Sequence, residues 1–325
     1  MSATLGNADL APVAPDARTW NLWHIASLWV GMSVCIPSYM LASSMIGAGL
    51  GWRWCLFAIF LGNLIVLLPL AVNGHAGTKY GVPFPVFARA AFGTWGTHVP
   101  SLLRAVVACG WFGIQTWIGG LAIHALVGIL WPAFHAFGGD WRFMDHSAAH
   151  YLSFGVFWAM NVYFVWAGTE AVKWLETLAA PLLIGLGLLL LWWAVSAVGG
   201  FGLVMEGADR LGAARADRSL MDLVPWVTAM VGYWATLSLN IPDFTRYARS
   251  QKDQAVGQAV GLLTTMPLVA FLGIAVTSAT VTVYGEAIWN PVDLAARISA
   301  DSGNPLVGLA SMAAILIATL TTNIA

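Results

Sequence analysis

Trp111 and Gln115 are the side chains in this 325-residue sequence best suited to hold a small planar molecule. They are four residues apart, and on an α-helix this spacing puts both side chains on one face. An indole offers a flat stacking surface, and a primary amide offers both hydrogen-bond donors and an acceptor. The pair therefore suits a planar heterocycle with alternating N–H and C=O groups. The alternative is that Gln115 only bonds a neighbouring helix.

Two adjacent threonines near the end of the sequence could do a different kind of chemistry. Thr321 and Thr322 offer hydroxyl oxygens, which are hard ligands of the kind that a small cation prefers. In an apolar helix, the alternative is that each hydroxyl bonds a carbonyl of its own helix.

Two further segments contain residues that can interrupt a helix inside a membrane. The segment 31–38 contains Pro37 among small residues, which predicts a break because proline removes one backbone donor and clashes with the preceding turn. A second segment, 231–236, places Gly232 beside Tyr233 and Trp234, and we expect a matching interruption there. Paired breaks in two halves of a chain are typical of transporters built from inverted repeats. The alternative for each is a simple kink.

Motifs for metal binding or catalysis are absent from the sequence. The seven histidines show no metal-ligand spacing, and His146 and His150 lie only at a loop edge. No nucleophile elbow, zinc-protease motif or phosphate-binding glycine loop occurs. The three cysteines lie in apolar runs without a CxxC pattern. We therefore predict that the protein is not an enzyme.

The composition requires that these residues lie in a membrane protein. Hydrophobic residues make up 59% and charged residues 9% of the sequence, whereas a soluble domain usually carries about 25% charged residues. The net charge of −1 offers no basic surface for a nucleic acid. These values exclude a soluble enzyme, a disordered chain and a nucleic-acid-binding protein.

Eight charge-free stretches are each long enough to cross a bilayer, which takes roughly 20 apolar residues. They predict an all-α polytopic membrane protein, because backbone groups in lipid must be satisfied within each segment. A small excess of Lys and Arg on one side predicts a cytoplasmic N-terminus. The predicted spans are 22–46, 53–74, 98–131, 151–168, 175–198, 222–242, 256–284 and 304–325.

The two ends of the sequence differ in character. Residues 1–20 form a polar N-terminal tail, and residues 21–325 form the predicted membrane domain. That domain divides into a first repeat over 21–199 and a partial second repeat over 221–325. Because the sequence stops inside an apolar segment, we expect a C-terminally truncated chain.

Five segments together resemble the nucleobase–cation symporter family 1. They are 21–32, 75–81, 108–117, 240–247 and 321–325, and they occur in order with plausible spacing. The resemblance implies an inverted-repeat fold of five plus five helices with breaks in helices 1 and 6, and two further helices. About eight of these twelve spans would be present. It also implies cation-coupled symport of uracil, cytosine, a purine, allantoin, hydantoin or a related vitamin by alternating access.

The resemblance further assigns individual residues. A substrate ring would lie between Trp111 and Trp234, with Gln115 bonding it and Tyr233 shaping the pocket. A cation, Na⁺ or H⁺, would couple the transport. The implied sodium ligands are the carbonyls of Gly31, Val34 and Ala318 and the hydroxyls of Thr321 and Thr322.

Several alternatives remain open from the sequence. The chain could belong to an amino-acid-type or other small-solute transporter on the same fold, to a channel, or to a thiamine-type vitamin transporter. It could also insert without transporting anything. The heterocycle, the coupling ion and the oligomeric state are not determined. The expected partners are the heterocycle, the cation and the lipid of the plasma membrane, with no protein partner.

Overall fold

The computed structural model describes residues 7–167, 169–213 and 220–324, and the chain divides into two compact units. Unit 1 consists of Met1–Ser33, Leu56–Cys109 and Asp217–Leu268. Unit 2 consists of Val34–Cys55, Gly110–Ala216 and Val269–Ala325. Each unit takes segments from both predicted repeats, and the division into repeats 21–199 and 221–325 remains a prediction.

Helices account for nearly all of the regular structure in the described residues. One hairpin consists of two antiparallel strands of two residues each, β1 (Arg142–Phe143) and β2 (His146–Ser147). Phe143 lies opposite His146. The α-helices are α1 (Leu22–Ser33), α2 (Ile36–Gly47), α3 (Trp52–Tyr80), α4 (Phe84–Phe87), α5 (Arg89–Gly96), α6 (His98–Leu130), α7 (Ala148–Ala167), α8 (Thr169–Val198), α9 (Phe201–Ala213), α10 (Val224–Asn240), α11 (Pro242–Thr245), α12 (Gln251–Tyr284), α13 (Pro291–Ser302) and α14 (Pro305–Ile324).

A helix occupies each of the eight predicted spans. Within the described ranges, four helices are long and apolar enough to cross a membrane, namely α3, α6, α12 and α14. Two bent pairs, α1 with α2 and the end of α8 with α9, raise that number to six. The remaining predicted spans, 151–168 and 222–242, are helical but are not among these six. Helix α7 contains polar side chains, and α10 has only 17 residues.

The predicted break in span 1 is confirmed. Helix α1 ends at Ser33 and α2 begins at Ile36, with Cys35 in an extended conformation between them. Pro37 lies in the first turn of α2, where its missing N–H has no helical partner to lose.

The predicted interruption of span 6 at Gly232 is wrong. Helix α10 runs through Gly232 without a break and ends at Asn240. The chain turns only at Ile241, before Pro242 begins the short α11. A single glycine costs a helix only about 1 kcal/mol, which packing readily offsets, whereas Pro242 removes a backbone donor.

Unit 1 is held together by close packing and hydrogen bonds between α3 and the segment 242–258. A Cβ at Gly77 would lie 2.8 Å from the backbone Cα of Pro242, so only glycine allows this approach. The Thr245 hydroxyl donates to the Gly74 carbonyl (2.9 Å), and the Thr78 hydroxyl donates to the Thr245 carbonyl (3.0 Å).

The polar N-terminal segment is also part of unit 1. The backbone N–H of Val13 donates to the Gly81 carbonyl (2.8 Å), and that of Trp20 donates to the Tyr247 carbonyl (2.9 Å). Arg18 donates to the Thr78 carbonyl (3.0 Å). Residues 13–20 are therefore attached to two loops of the unit rather than forming a free tail.

Unit 2 contains two amphipathic helices that lie between the predicted spans. Helix α9 follows α8 at a bend of 89°, made at Gly199 and Gly200, both with positive φ. Helix α13 begins with Asn290 as its N-cap, whose side chain accepts the N–H of Val292. It packs with α14 in a buried cluster that includes Val292, Met312 and Ala318.

Candidate functional site

Helix α6 carries Trp111 and Gln115, and it is continuous across both residues. The structure therefore confirms that they occupy one face of one helix, one turn apart. Gln115 is buried, whereas Trp111 is half-buried. Among the described residues, the side-chain oxygen of Gln115 has no hydrogen-bond partner. A buried amide oxygen without a partner costs free energy unless a ligand or water bonds it.

Helix α10 carries Tyr233 and Trp234 within unit 1. The Trp234 ring is buried, and its centroid is 4.8 Å from that of Tyr233. A second tryptophan, Trp29 of α1, meets Trp234 edge-on with centroids 5.2 Å apart. The indole N–H of Trp234 has no acceptor in the described part of the chain. Trp234 was predicted from the sequence but Trp29 was not, since 205 residues separate them and no local pattern pairs them.

The threonines of the predicted cation site bond their own helix. The hydroxyl of Thr321 donates to the Ile317 carbonyl (2.6 Å), and that of Thr322 donates to the Ala318 carbonyl (2.9 Å). The alternative of back-bonding is therefore seen, but each hydroxyl oxygen keeps lone pairs that can bind a cation.

Two of the three predicted carbonyl ligands, Gly31 and Val34, lie around the break in span 1. Val34 lies outside both α1 and α2, whereas Gly31 lies within α1. In unit 2, Ile36 belongs to the same buried cluster as Ala318, so the start of α2 packs near the predicted α14 ligands.

A buried polar triad in unit 2 was missed by the sequence reading. The amide of Asn323 donates to the Thr116 hydroxyl (3.1 Å) and to the Asn161 side-chain oxygen (3.1 Å). Thr116 and Asn161 are fully buried. The signal in the sequence was a polar residue in each of three apolar spans, but nothing local indicated that they meet.

Histidines from α6 and the following connection also meet in unit 2. His135 and His124 are 3.0 Å apart between Nδ1 and Nε2, and the ring of His150 stacks on that of His124 at 3.9 Å. Within the residues that the structure describes, no three His, Cys, Asp or Glu side chains are arranged to hold a metal ion.

Asp243, just beyond span 6, caps a neighbouring element of unit 1. Its Oδ1 accepts the backbone N–H of Phe84 (2.7 Å), and Arg104 donates to the adjacent Asn240 (2.9 Å). Burial raises the pKa of the Asp243 carboxyl above its ordinary value, while the Phe84 N–H and the charge of Arg246 oppose that rise. The Asp243 side chain therefore caps the start of α4.

Residues 12–325 match a family described as permeases for cytosine/purines, uracil, thiamine and allantoin. The chain belongs to this permease family. It is the nucleobase–cation symporter family 1 that the sequence motifs resemble, and the recognition is thus confirmed. The relatives named below are permeases, so the prediction of a transporter rather than an enzyme is confirmed for the family. The chain is thus an integral, multi-pass membrane protein.

Two curated relatives of this permease family are similar over nearly the whole chain. A purine–uracil permease of Arabidopsis thaliana is 42% identical over 99% of the chain, and an allantoin permease of Bacillus subtilis is 40% identical over 100%. The chain spans 52% of the length of the first relative and 65% of the second.

A solved structure confirms the predicted fold class. It is a nucleobase-cation-symport-1 family transporter in a closed conformation with bromovinylhydantoin bound. The TM-score is 0.68 with 21% identity, over 98% of this chain and 66% of that one.

Proposed function

We propose that the protein carries a nucleobase or related planar heterocycle across the plasma membrane by cation-coupled symport with alternating access. Trp111 and Trp234 stack on the ring, Gln115 hydrogen-bonds it, and Tyr233 shapes the pocket. The observation that carries this proposal is the buried Gln115, whose side-chain oxygen has no partner among the described residues.

The chemistry of the four side chains supports a planar ring with N–H and C=O groups. The oxygen of Gln115 can accept a ring N–H, and its amide N–H₂ can donate to a ring carbonyl. Indole faces add stacking and apolar contact to any such ring. A site that bonds these groups discriminates against rings that lack them, because its own polar atoms are then left unpaired.

We further propose that a cation binds the oxygens of Gly31, Val34, Ala318, Thr321 and Thr322. The packing of Ile36 with Ala318 supports the part of this site that lies in unit 2. If both ligands favour the same state of the transporter, cation and substrate strengthen each other's binding by the same factor. The ion is Na⁺ or H⁺, and the N-terminus is cytoplasmic.

The decisive experiment measures uptake of radiolabelled uracil, allantoin, hydantoin and cytosine by cells that express the protein. It is run with and without a Na⁺ gradient at fixed pH. Saturable uptake of one ring that rises with Na⁺ supports the proposed cation site. Uptake that does not depend on Na⁺ but rises with external acid supports H⁺ as the coupling ion. The absence of uptake of all four rings contradicts the proposal.

Trp111→Ala provides the matching test of the pocket. Loss of the stacking surface should weaken substrate binding roughly tenfold to a hundredfold and lower uptake accordingly, because base–aromatic stacking contributes about 1–3 kcal/mol per ring. Trp166→Ala is a suitable control, since that tryptophan is 87% exposed. Unchanged uptake by Trp111→Ala would remove Trp111 from the pocket.

A further inference from the structure

Trp29 of α1 is a fully buried tryptophan that no part of the proposed transport cycle uses. Its accessible surface is 0%, although Trp23 on the same helix is 71% exposed. The two residues therefore face opposite environments from one helix. Trp29 packs against α12, where a Cβ at Gly261 would lie 2.6 Å from the Trp29 Cβ. The backbone of α12 thus leaves little room for the Trp29 side chain to shift.

The ring of Trp29 meets the ring of Trp234 edge-to-face. The centroids are 5.2 Å apart and the planes are inclined by 77°. This geometry lies in the favourable range for an aromatic pair, which contributes about 0.5–1.5 kcal/mol beyond the buried area. Tyr233 meets Trp234 at a similar inclination of 76°, with centroids 4.8 Å apart.

Hydrogen bonding does not orient either indole within the described residues. The Nε1 atoms of Trp29 and Trp234 are both buried, and neither has a partner there. The plane of the Trp234 ring is therefore set by its packing, and the fully buried Trp29 is part of that packing.

We propose that Trp29 is a positioning residue that holds the plane of the Trp234 ring so that it can stack on the heterocyclic substrate. This inference rests on the proposed function, because it assigns Trp234 to the substrate. Trp29 itself does not touch the substrate. Its removal lets the Trp234 ring tilt, which weakens the stack and raises KM without a comparable change in the maximal rate.

The first test compares Trp29→Ala, Trp29→Phe and the exposed control Trp23→Ala in uptake of the ring that the wild type transports. Loss of the aromatic pair should raise KM roughly two- to tenfold in Trp29→Ala, which corresponds to the energy of such a pair. Trp29→Phe keeps an aromatic edge and should restore most of the affinity. Trp23→Ala should behave as the wild type. A purely structural role predicts instead a lower amount of folded protein with unchanged KM.

The second test is a double-mutant cycle with Trp234→Phe, which keeps a smaller stacking ring so that binding stays measurable. If Trp29 acts through Trp234, Trp29→Ala should cause a clearly smaller loss of affinity in the Trp234→Phe background than in the wild type. Equal losses in both backgrounds overturn the proposal, and so does wild-type KM in Trp29→Ala. Failure of the wild type to take up any ring is a different result, since it contradicts the proposed function itself.

Discussion

In unit 1, the buried Gln254 of α12 uses its whole amide group. It donates to the Ala71 carbonyl (3.3 Å) and to Gln251 (3.2 Å), and it accepts from Gln258 (2.6 Å). In unit 2, Gln115 of α6 is also buried, but its side-chain oxygen has no partner in the described part of the chain. These two glutamines, both buried in apolar helices, thus differ in whether the side-chain oxygen is bonded.

This difference supports, on physical grounds, the proposal that Gln115 binds the substrate while Gln254 is structural. A buried polar group that is fully bonded stabilises the packing, whereas one left unpaired lowers stability until something bonds it. Such a cost is tolerated where function requires it. The two glutamines should therefore respond to substitution in opposite ways.

The largest effect is expected for Gln115→Leu on substrate affinity. Loss of the amide should weaken binding roughly tenfold to a hundredfold, the cost of about 1–3 kcal/mol for unpaired polar groups. The melting temperature in detergent without substrate should stay the same or rise, because an unpaired buried oxygen is removed. The measurements are KM for uptake and a thermal melt. A large drop in melting temperature would mean that Gln115 bonds a neighbouring helix instead.

Asn323→Leu should act on stability, because Asn323 joins two other buried polar groups. Its loss leaves the Asn161 side-chain oxygen unpaired, which costs about 1–3 kcal/mol. Thr319→Val is a matched control on the same helix, since Thr319 bonds only the Ile315 carbonyl of that helix. Thermal melts of both variants make the comparison. Equal melting temperatures would show that the triad contributes little.

Gln254→Leu should lower stability and leave substrate affinity unchanged, which is the opposite pattern to Gln115→Leu. The size of the effect should be smaller. Its hydrogen bonds are replaced by apolar packing, so we expect a loss of about 1 kcal/mol in the free energy of unfolding. KM should not change. A rise in KM with unaltered melting temperature would contradict the division between structural and binding amides.

The smallest effect is expected for Asp243. Its carboxylate accepts a hydrogen bond from Phe84, but burial disfavours the charged form. Its pKa is raised in the folded state, so its contribution to stability is greatest at low pH and is lost as the pH rises through that raised pKa. Asp243→Asn does not titrate. The wild type should therefore lose stability relative to Asp243→Asn on going from acid to neutral pH, which melting temperatures across that range would measure. A constant difference would contradict the raised pKa.

Features that depend on neighbours along the chain could be predicted without the structure. The pairing of Trp111 with Gln115 on one face follows from helical periodicity, and the break before Pro37 follows from the chemistry of proline. Gly232 misled the prediction because a glycine permits a break without requiring one. The helix runs through Gly232, because one glycine costs a helix only about 1 kcal/mol.

Composition and apolar length alone determined that this chain is a helical membrane protein with helices at eight places, because crossing a bilayer is a local requirement on each segment. The tertiary structure decided which of the described polar groups are bonded and which are left unpaired. Asn323 reaches Thr116 and Asn161 across 207 and 162 residues, and Trp29 reaches Trp234 in the same way. Such contacts depend on how helices pack, and helical periodicity sets only the face on which a side chain lies.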